Sequence, residues 1–95
     1  VASGVGTTEV DFGAWPGSNE AQVVVTGQTG ISASTPVEAW MMAEATSDHT
    51  LQDATYAARF ISLTVGAPSG TSFTIYARSE HKLQGKFAAR YVWAD

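Results

Sequence analysis

The sequence predicts an all-β chain: a small antiparallel β-sandwich of about six strands behind a flexible N-terminal arm. Three observations carry this. Short segments alternate apolar and polar residues with the period of two that a half-buried strand requires. Clusters of Gly, Pro, Ser, Asn and Asp separate those segments. No stretch sustains an apolar period of 3.6 over several turns, so no long amphipathic helix is expected.

Residues 1–7, Val-Ala-Ser-Gly-Val-Gly-Thr, are small and contain Gly4 and Gly6, which disfavour a helix, and they are expected to form the arm. The sandwich domain then covers residues 8–95. Its first strand runs from Thr8 to Phe12, with Val10 and Phe12 on one face, and ends at the turn chemistry of Trp15-Pro16-Gly17-Ser18-Asn19. The second runs from Ala21 to Thr26 with Val23 and Val25 inward, and Gly27-Gln28-Thr29-Gly30 turns the chain. Ile31–Ser34 is a candidate edge piece before Pro36, and the next strand is Val37–Ala43, with Val37, Ala39 and Met41 opposite Glu38, Trp40 and Met42. Residues 44–55 are the longest polar interval, either a loop or a helical turn capped by Ser47 or Asp48 and reaching towards Ala54. The remaining strands are Ala57–Val65, Ser72–Arg78, with Phe73, Ile75 and Ala77 together, and Lys86–Ala94, with Phe87, Ala89, Tyr91 and Trp93 together. Arg78–Lys82, which contains His81, reads as a charged hairpin turn between the last two. Strands with one apolar face each must bury it against another layer, so two packed sheets are expected, with a small barrel as the second choice.

Composition narrows the function. Only 15% of residues are charged, against 44% hydrophobic, so much of the surface consists of neutral Ser, Thr, Ala and Gly. Such a surface suits packing against copies of itself or a larger shell, or is simply a Thr/Ser-decorated sheet. The net charge of −4 opposes a phosphate backbone, so no nucleic-acid partner is expected. The absence of cysteine excludes disulfides and thiolate zinc sites. No apolar run approaches the ~20 residues that span a bilayer, and no signal-peptide pattern opens the chain, so no membrane partner is expected.

The candidate chemistry is sparse. Glu44, Asp48, His49 and Asp53 lie close together, and carboxylates with one imidazole are ligands for a divalent cation. Their spacing matches no metal motif, and a solvated loop whose acids cap turns is the simpler reading; no metal or cofactor is expected. Ser47-Asp48-His49 is not a triad, because triad members meet in space rather than along the chain. No Gly-x-Ser-x-Gly elbow occurs, and the chain is expected not to be an enzyme. The aromatics carry more. Trp40 and Tyr76 fall on strand faces opposite the apolar stripes, and Trp15 lies in a turn. Exposed aromatics there are anchors for an interface or platforms for a sugar ring; the alternative is that both sheet faces are covered and they are ordinary core. Trp15, Trp40, Tyr76, Asp48, His49 and Asp53 are therefore the interface or ligand candidates.

Several stretches carry a resemblance: Glu-Val-Asp-Phe-Gly-Ala-Trp-Pro-Gly-Ser-Asn-Glu-Ala, Val-Thr-Gly-Gln-Thr-Gly-Ile, Val-Glu-Ala-Trp, Ser-Asp-His-Thr, Phe-Thr-Ile-Tyr-Ala-Arg and Gly-Lys-Phe-Ala-Ala-Arg-Tyr-Val-Trp-Ala. Across residues 9–94 this texture resembles small virion-associated proteins of tailed bacteriophages. The resemblance implies a head decoration (cement) protein on the capsid surface, with the major capsid protein and further copies of itself, as a homotrimer, for partners. Gly-Thr-Ser-Phe-Thr-Ile at 70–75, with a last strand ending Val92-Trp93-Ala94, is similar in texture to the H-type lectin sandwich, which is trimeric. That likeness implies a second possibility, a receptor- or carbohydrate-binding module of a tail fibre with glycans as ligands. None of that family's sugar-binding residues can be matched to positions in this chain.

Overall fold

A computed structural model of the chain describes residues 3–14 and 17–94. Six strands and one short helix follow in order: β1 (Ser3–Asp11), β2 (Ser18–Val25), β3 (Val37–Met41), α1 (Leu51–Ala57), β4 (Ile61–Val65), β5 (Phe73–Leu83) and β6 (Lys86–Ala94). They form two three-stranded sheets, ordered β1-β6-β3 and β2-β5-β4, with every pairing antiparallel. The sheets pack face to face as the predicted sandwich, elongated to 40 × 20 × 19 Å. Only the β4–β5 connection stays within one sheet; every other connection crosses between them.

Period-two alternation sets the inward faces. In β5, Phe73, Ile75, Ala77 and Ser79 point in, and in β6 Phe87, Ala89, Tyr91 and Trp93 do. These central strands supply most of the core. At one end Phe87 meets Val10, Phe12, Ala54, Ala57, Ile61 and Ala77; at the other Tyr91 and Trp93 meet Val25, Ile31, Phe73 and Ile75. Val23 and Leu63 pack against both clusters and make the core continuous.

Four expectations are corrected. β1 reaches back to Ser3, so residues 3–7 are not an arm but an edge strand paired with β6, from Ser3↔Ala94 to Thr7↔Arg90. The glycines are there for space: a Cβ at Gly4 would lie 2.4 Å from Trp93 Nε1, and one at Gly6 2.4 Å from Tyr91 Oη. The aromatic rings lie across the bare backbone and provide the burial that glycine itself does not. Val1 and Ala2 lie outside the described residues. Second, Ile31–Ser34 is a turn rather than an edge strand: Ile31 is buried in the end of the core, and the Ser32 N–H donates to Thr35 Oγ1 at 2.9 Å. Third, residues 51–57 are helical, and β4 therefore starts at Ile61. The cap is Thr50, whose Oγ1 accepts from the Asp53 N–H at 3.2 Å, and Ala54 and Ala57 are the buried face.

Fourth, β5 and β6 are not a hairpin. They lie in opposite sheets and are joined by Gln84-Gly85, so His81 belongs to β5. Polarity disguises the strand here, because Ser79 faces inward. It is small, its carbonyl accepts from Asn19 Nδ2 at 3.2 Å, and its Oγ accepts from the His81 N–H at 3.2 Å, so its burial leaves nothing unpaired. Gly85 has φ +77°, and a Cβ on it would meet Asp48 Cβ at 2.8 Å. Both the backbone angle and the space demand glycine at this crossing.

The buried aromatics keep their polar ends satisfied through one residue. Gln28 Oε1 accepts from Trp93 Nε1 at 2.9 Å, and its Nε2 lies 3.3 Å from Tyr91 Oη and 3.0 Å from the Thr26 carbonyl that accepts from it. Gln28→Leu keeps the bulk and removes the partner of a buried indole N–H. Urea unfolding is expected to show a loss of about 1–3 kcal/mol.

Candidate docking surface

The five sequence candidates within the described residues separate into three places: Asp48, His49 and Asp53 come together, and Trp40 and Tyr76 stand apart from them and from each other. Trp15 lies outside the described residues. Asp48, His49 and Asp53 sit at the end of the sandwich where β5 crosses to β6. Trp40 and Tyr76 stand on the two opposite outer faces.

At the crossing, the β3–α1 loop is fastened to the β5–β6 turn. Asp48 Oδ2 accepts from the Lys86 N–H at 2.9 Å, and Thr46 Oγ1 donates to the Lys86 carbonyl at 2.7 Å. His49 stacks on Phe87, ring centroids 4.1 Å apart and planes 14° apart. Its Nε2 lies 2.5 Å from the Gln84 carbonyl oxygen, which can only accept, so this nitrogen carries the proton. Nδ1 faces the Asp53 carboxylate at 3.5 Å. The imidazole and the Asp48 carboxylate are thus used to hold backbone in place, with Asp53 beside the ring. A shallow cleft of about 330 Å³ lies beside them, lined by Asp11, Asp48, His49 and Gln84 among others. Asp11 is also occupied, its Oδ1 accepting from the Gly13 N–H at 2.8 Å. Among the described residues, no three His, Asp or Glu side chains converge to hold a metal ion.

The outer face of the β1-β6-β3 sheet is different in kind. Antiparallel register sets Val5 opposite Val92, Val92 opposite Glu38, and Trp40 opposite Arg90, which in turn faces Thr7. Val5, Trp40 and Val92 are 74%, 40% and 37% exposed, so large apolar side chains from all three strands meet solvent on one face. Trp40 Nε1 lies 3.1 Å from Met42 Sδ, and Arg90 pairs with Glu44 at 2.8 Å beside it. Trp, Met and Arg beside exposed aliphatics, with an ion pair at the edge, is the make-up of a protein-binding patch. Sequence reasoning singled out Trp40 and missed Val5, Val92 and Arg90. Val5 alternates with Gly4 and Gly6, and once glycines count as inward-facing, the outward valine follows.

The outer face of the β2-β5-β4 sheet carries Tyr76, 47% exposed, at the centre of a depression of about 420 Å³. Gln22 and Thr64 are its cross-strand neighbours on either side. Comparison with protein-family models, with curated proteins and with solved structures finds no match to this chain.

Proposed function

We propose that this domain is a bacteriophage structural protein, a head decoration (cement) protein that seats the outer face of the β1-β6-β3 sheet on the assembled capsid shell. The observation that carries the reading is the set of exposed apolar side chains on that face, Val5 and Val92 paired across β1 and β6 and Trp40 one row along on β3. The resemblance of the chain to virion-associated phage proteins supplies the partner, the major capsid protein. The low share of charged residues, 15%, agrees with a surface made to be covered. Each copy would bury that face only on the assembled shell, so binding would stabilise the shell by mass action. The domain would act as a closed homotrimer, the symmetry expected of a soluble homo-oligomer being closed.

Trp40→Ala tests the docking face. Because Trp40 is only 40% exposed, its truncation also gives up packing on the sheet, so head binding is compared at a temperature well below the variant's own unfolding midpoint. Binding to purified heads, measured by co-sedimentation, is expected to weaken roughly 10- to 100-fold, the loss typical of an aromatic anchor. Unchanged head binding would remove this face from the mechanism. The alternative, a glycan- or receptor-binding module of a tail fibre, draws support from the opposite face, where Tyr76 stands among polar side chains.

A further inference from the structure

We propose that the outer face of the β2-β5-β4 sheet is a binding site for a neutral pyranose ring, stacked on Tyr76. The site is independent of the docking face, since it lies on the other sheet.

Register builds it in two rows. Gln22, Tyr76 and Thr64 lie side by side across β2, β5 and β4, and Glu20, Arg78 and Ser62 form the next row. Together they line a depression of about 420 Å³, within the size range of small-molecule sites. All six are strand residues, so their spacing is held by the ladder rather than by a loop.

Tyr76 is a prepared platform. A Cβ at Gly66 would stand 3.2 Å from Tyr76 Cε2, so the ring rests against bare backbone at the start of the β4–β5 loop. Gly66 is itself fixed, its N–H donating to the Thr74 carbonyl at 2.9 Å. The ring is thus oriented by backbone contact while 47% of the residue stays open to solvent. An aromatic ring held open and in place stacks on the apolar C–H face of a sugar at little cost in side-chain ordering.

The polar groups decide the ligand class. Gln22 offers a donor and an acceptor in one amide, and the Thr64 hydroxyl does both. That pairing suits sugar hydroxyls, which also do both. The only charges lining the depression are Arg78 and Glu20, and they are joined at 2.8 Å. Inside the depression their pairing leaves no free cation for a sialic or uronic acid, and none for a phosphate. The face also lacks the run of exposed aliphatics from strand to strand that marks the other sheet, which argues for a saccharide over a protein.

Saturation-transfer NMR on the intact domain, with a panel of methyl pyranosides of neutral hexoses and N-acetylhexosamines, tests the proposal. Transfer is expected to at least one neutral methyl glycoside, strongest at its ring C–H protons, and absent for methyl glucuronide. Tyr76→Ala should weaken binding at least tenfold while the domain stays folded, as a retained cooperative unfolding transition well above the assay temperature would show. Gly66→Val, which displaces the ring, should weaken it too, whereas Trp40→Ala should leave it unchanged. No transfer to any neutral glycoside would overturn the proposal. So would transfer that survives Tyr76→Ala, or transfer that disappears with Trp40→Ala.

Discussion

Phe87→Ala is expected to destabilise the domain by about 3–5 kcal/mol, the usual cost of truncating a buried phenylalanine. Phe87 is 2% exposed and is among the largest fully enclosed side chains. It sits opposite Val10 in the β1–β6 ladder, packs edge-on against Phe12 at 6.0 Å, and carries His49 on its other side. The sheets, the end of β1 and the β3–α1 loop therefore all lean on one ring. A domain of this size has about 5–14 kcal/mol in total, so the loss takes a large share. Urea unfolding measures it. The same variant should loosen the His49 loop before the whole domain opens, because the stacking partner is gone. Faster amide exchange at Lys86, whose N–H is held by Asp48, would report that local release.

Gly6→Val should cost about 1–3 kcal/mol, and its sign is as informative as its size. Glycine inside a strand is ordinarily a weakness, and a Cβ there should help by roughly 0.5–1 kcal/mol. Here the new Cβ would stand 2.4 Å from Tyr91 Oη and 2.7 Å from Cζ. A tyrosine tip can swing aside when it is free, but Tyr91 is buried and within hydrogen-bonding reach of Gln28. Moving it gives up that contact and opens a gap in the core. Gly6→Ala is therefore expected to lower the unfolding midpoint in urea. A rise would mean that the ring gives way freely and that the glycines serve only the chain's flexibility. Combining Gly6→Val with Gly4→Val should be non-additive, because both displace rings that share Gln28.

These two sites show what the chain discloses by itself. Alternation in β6 assigns Phe87, Ala89, Tyr91 and Trp93 to the core with no structure in hand, because a strand with one buried face repeats every two residues. The same rule puts Trp40 and Tyr76 outside. Gly4 and Gly6 mislead, since the mass that covers them comes from residues 91 and 93, some 85 positions away along the chain. Local composition reports flexibility where tertiary packing makes a strand. α1 is hidden for a different reason: its buried face is only Ala54 and Ala57, too small and too short to show a helical period. The Asp48-His49 pair is legible as a cluster, but its work is done on the backbone of Gln84 and Lys86 and depends on where β5 crosses to β6. Likewise Tyr76 is visible as an outward aromatic, whereas its neighbours Gln22 and Thr64 are set by strand register, which the pattern of either strand alone does not contain.

The two outer faces differ in make-up. On the β1-β6-β3 sheet, Val5, Val92 and Trp40 stand exposed among charged neighbours such as Glu38 and Arg90; on the β2-β5-β4 sheet, Tyr76 stands in a polar depression whose two charges, Arg78 and Glu20, are paired.

A cryo-electron microscopy reconstruction of phage particles tests the proposed seating of the β1-β6-β3 face on the capsid shell. Density for the domain is expected to repeat over the whole head, with Val5, Trp40 and Val92 against the major capsid protein and Tyr76 turned outward. Density confined to the tail tip, or a head without the domain, would contradict it.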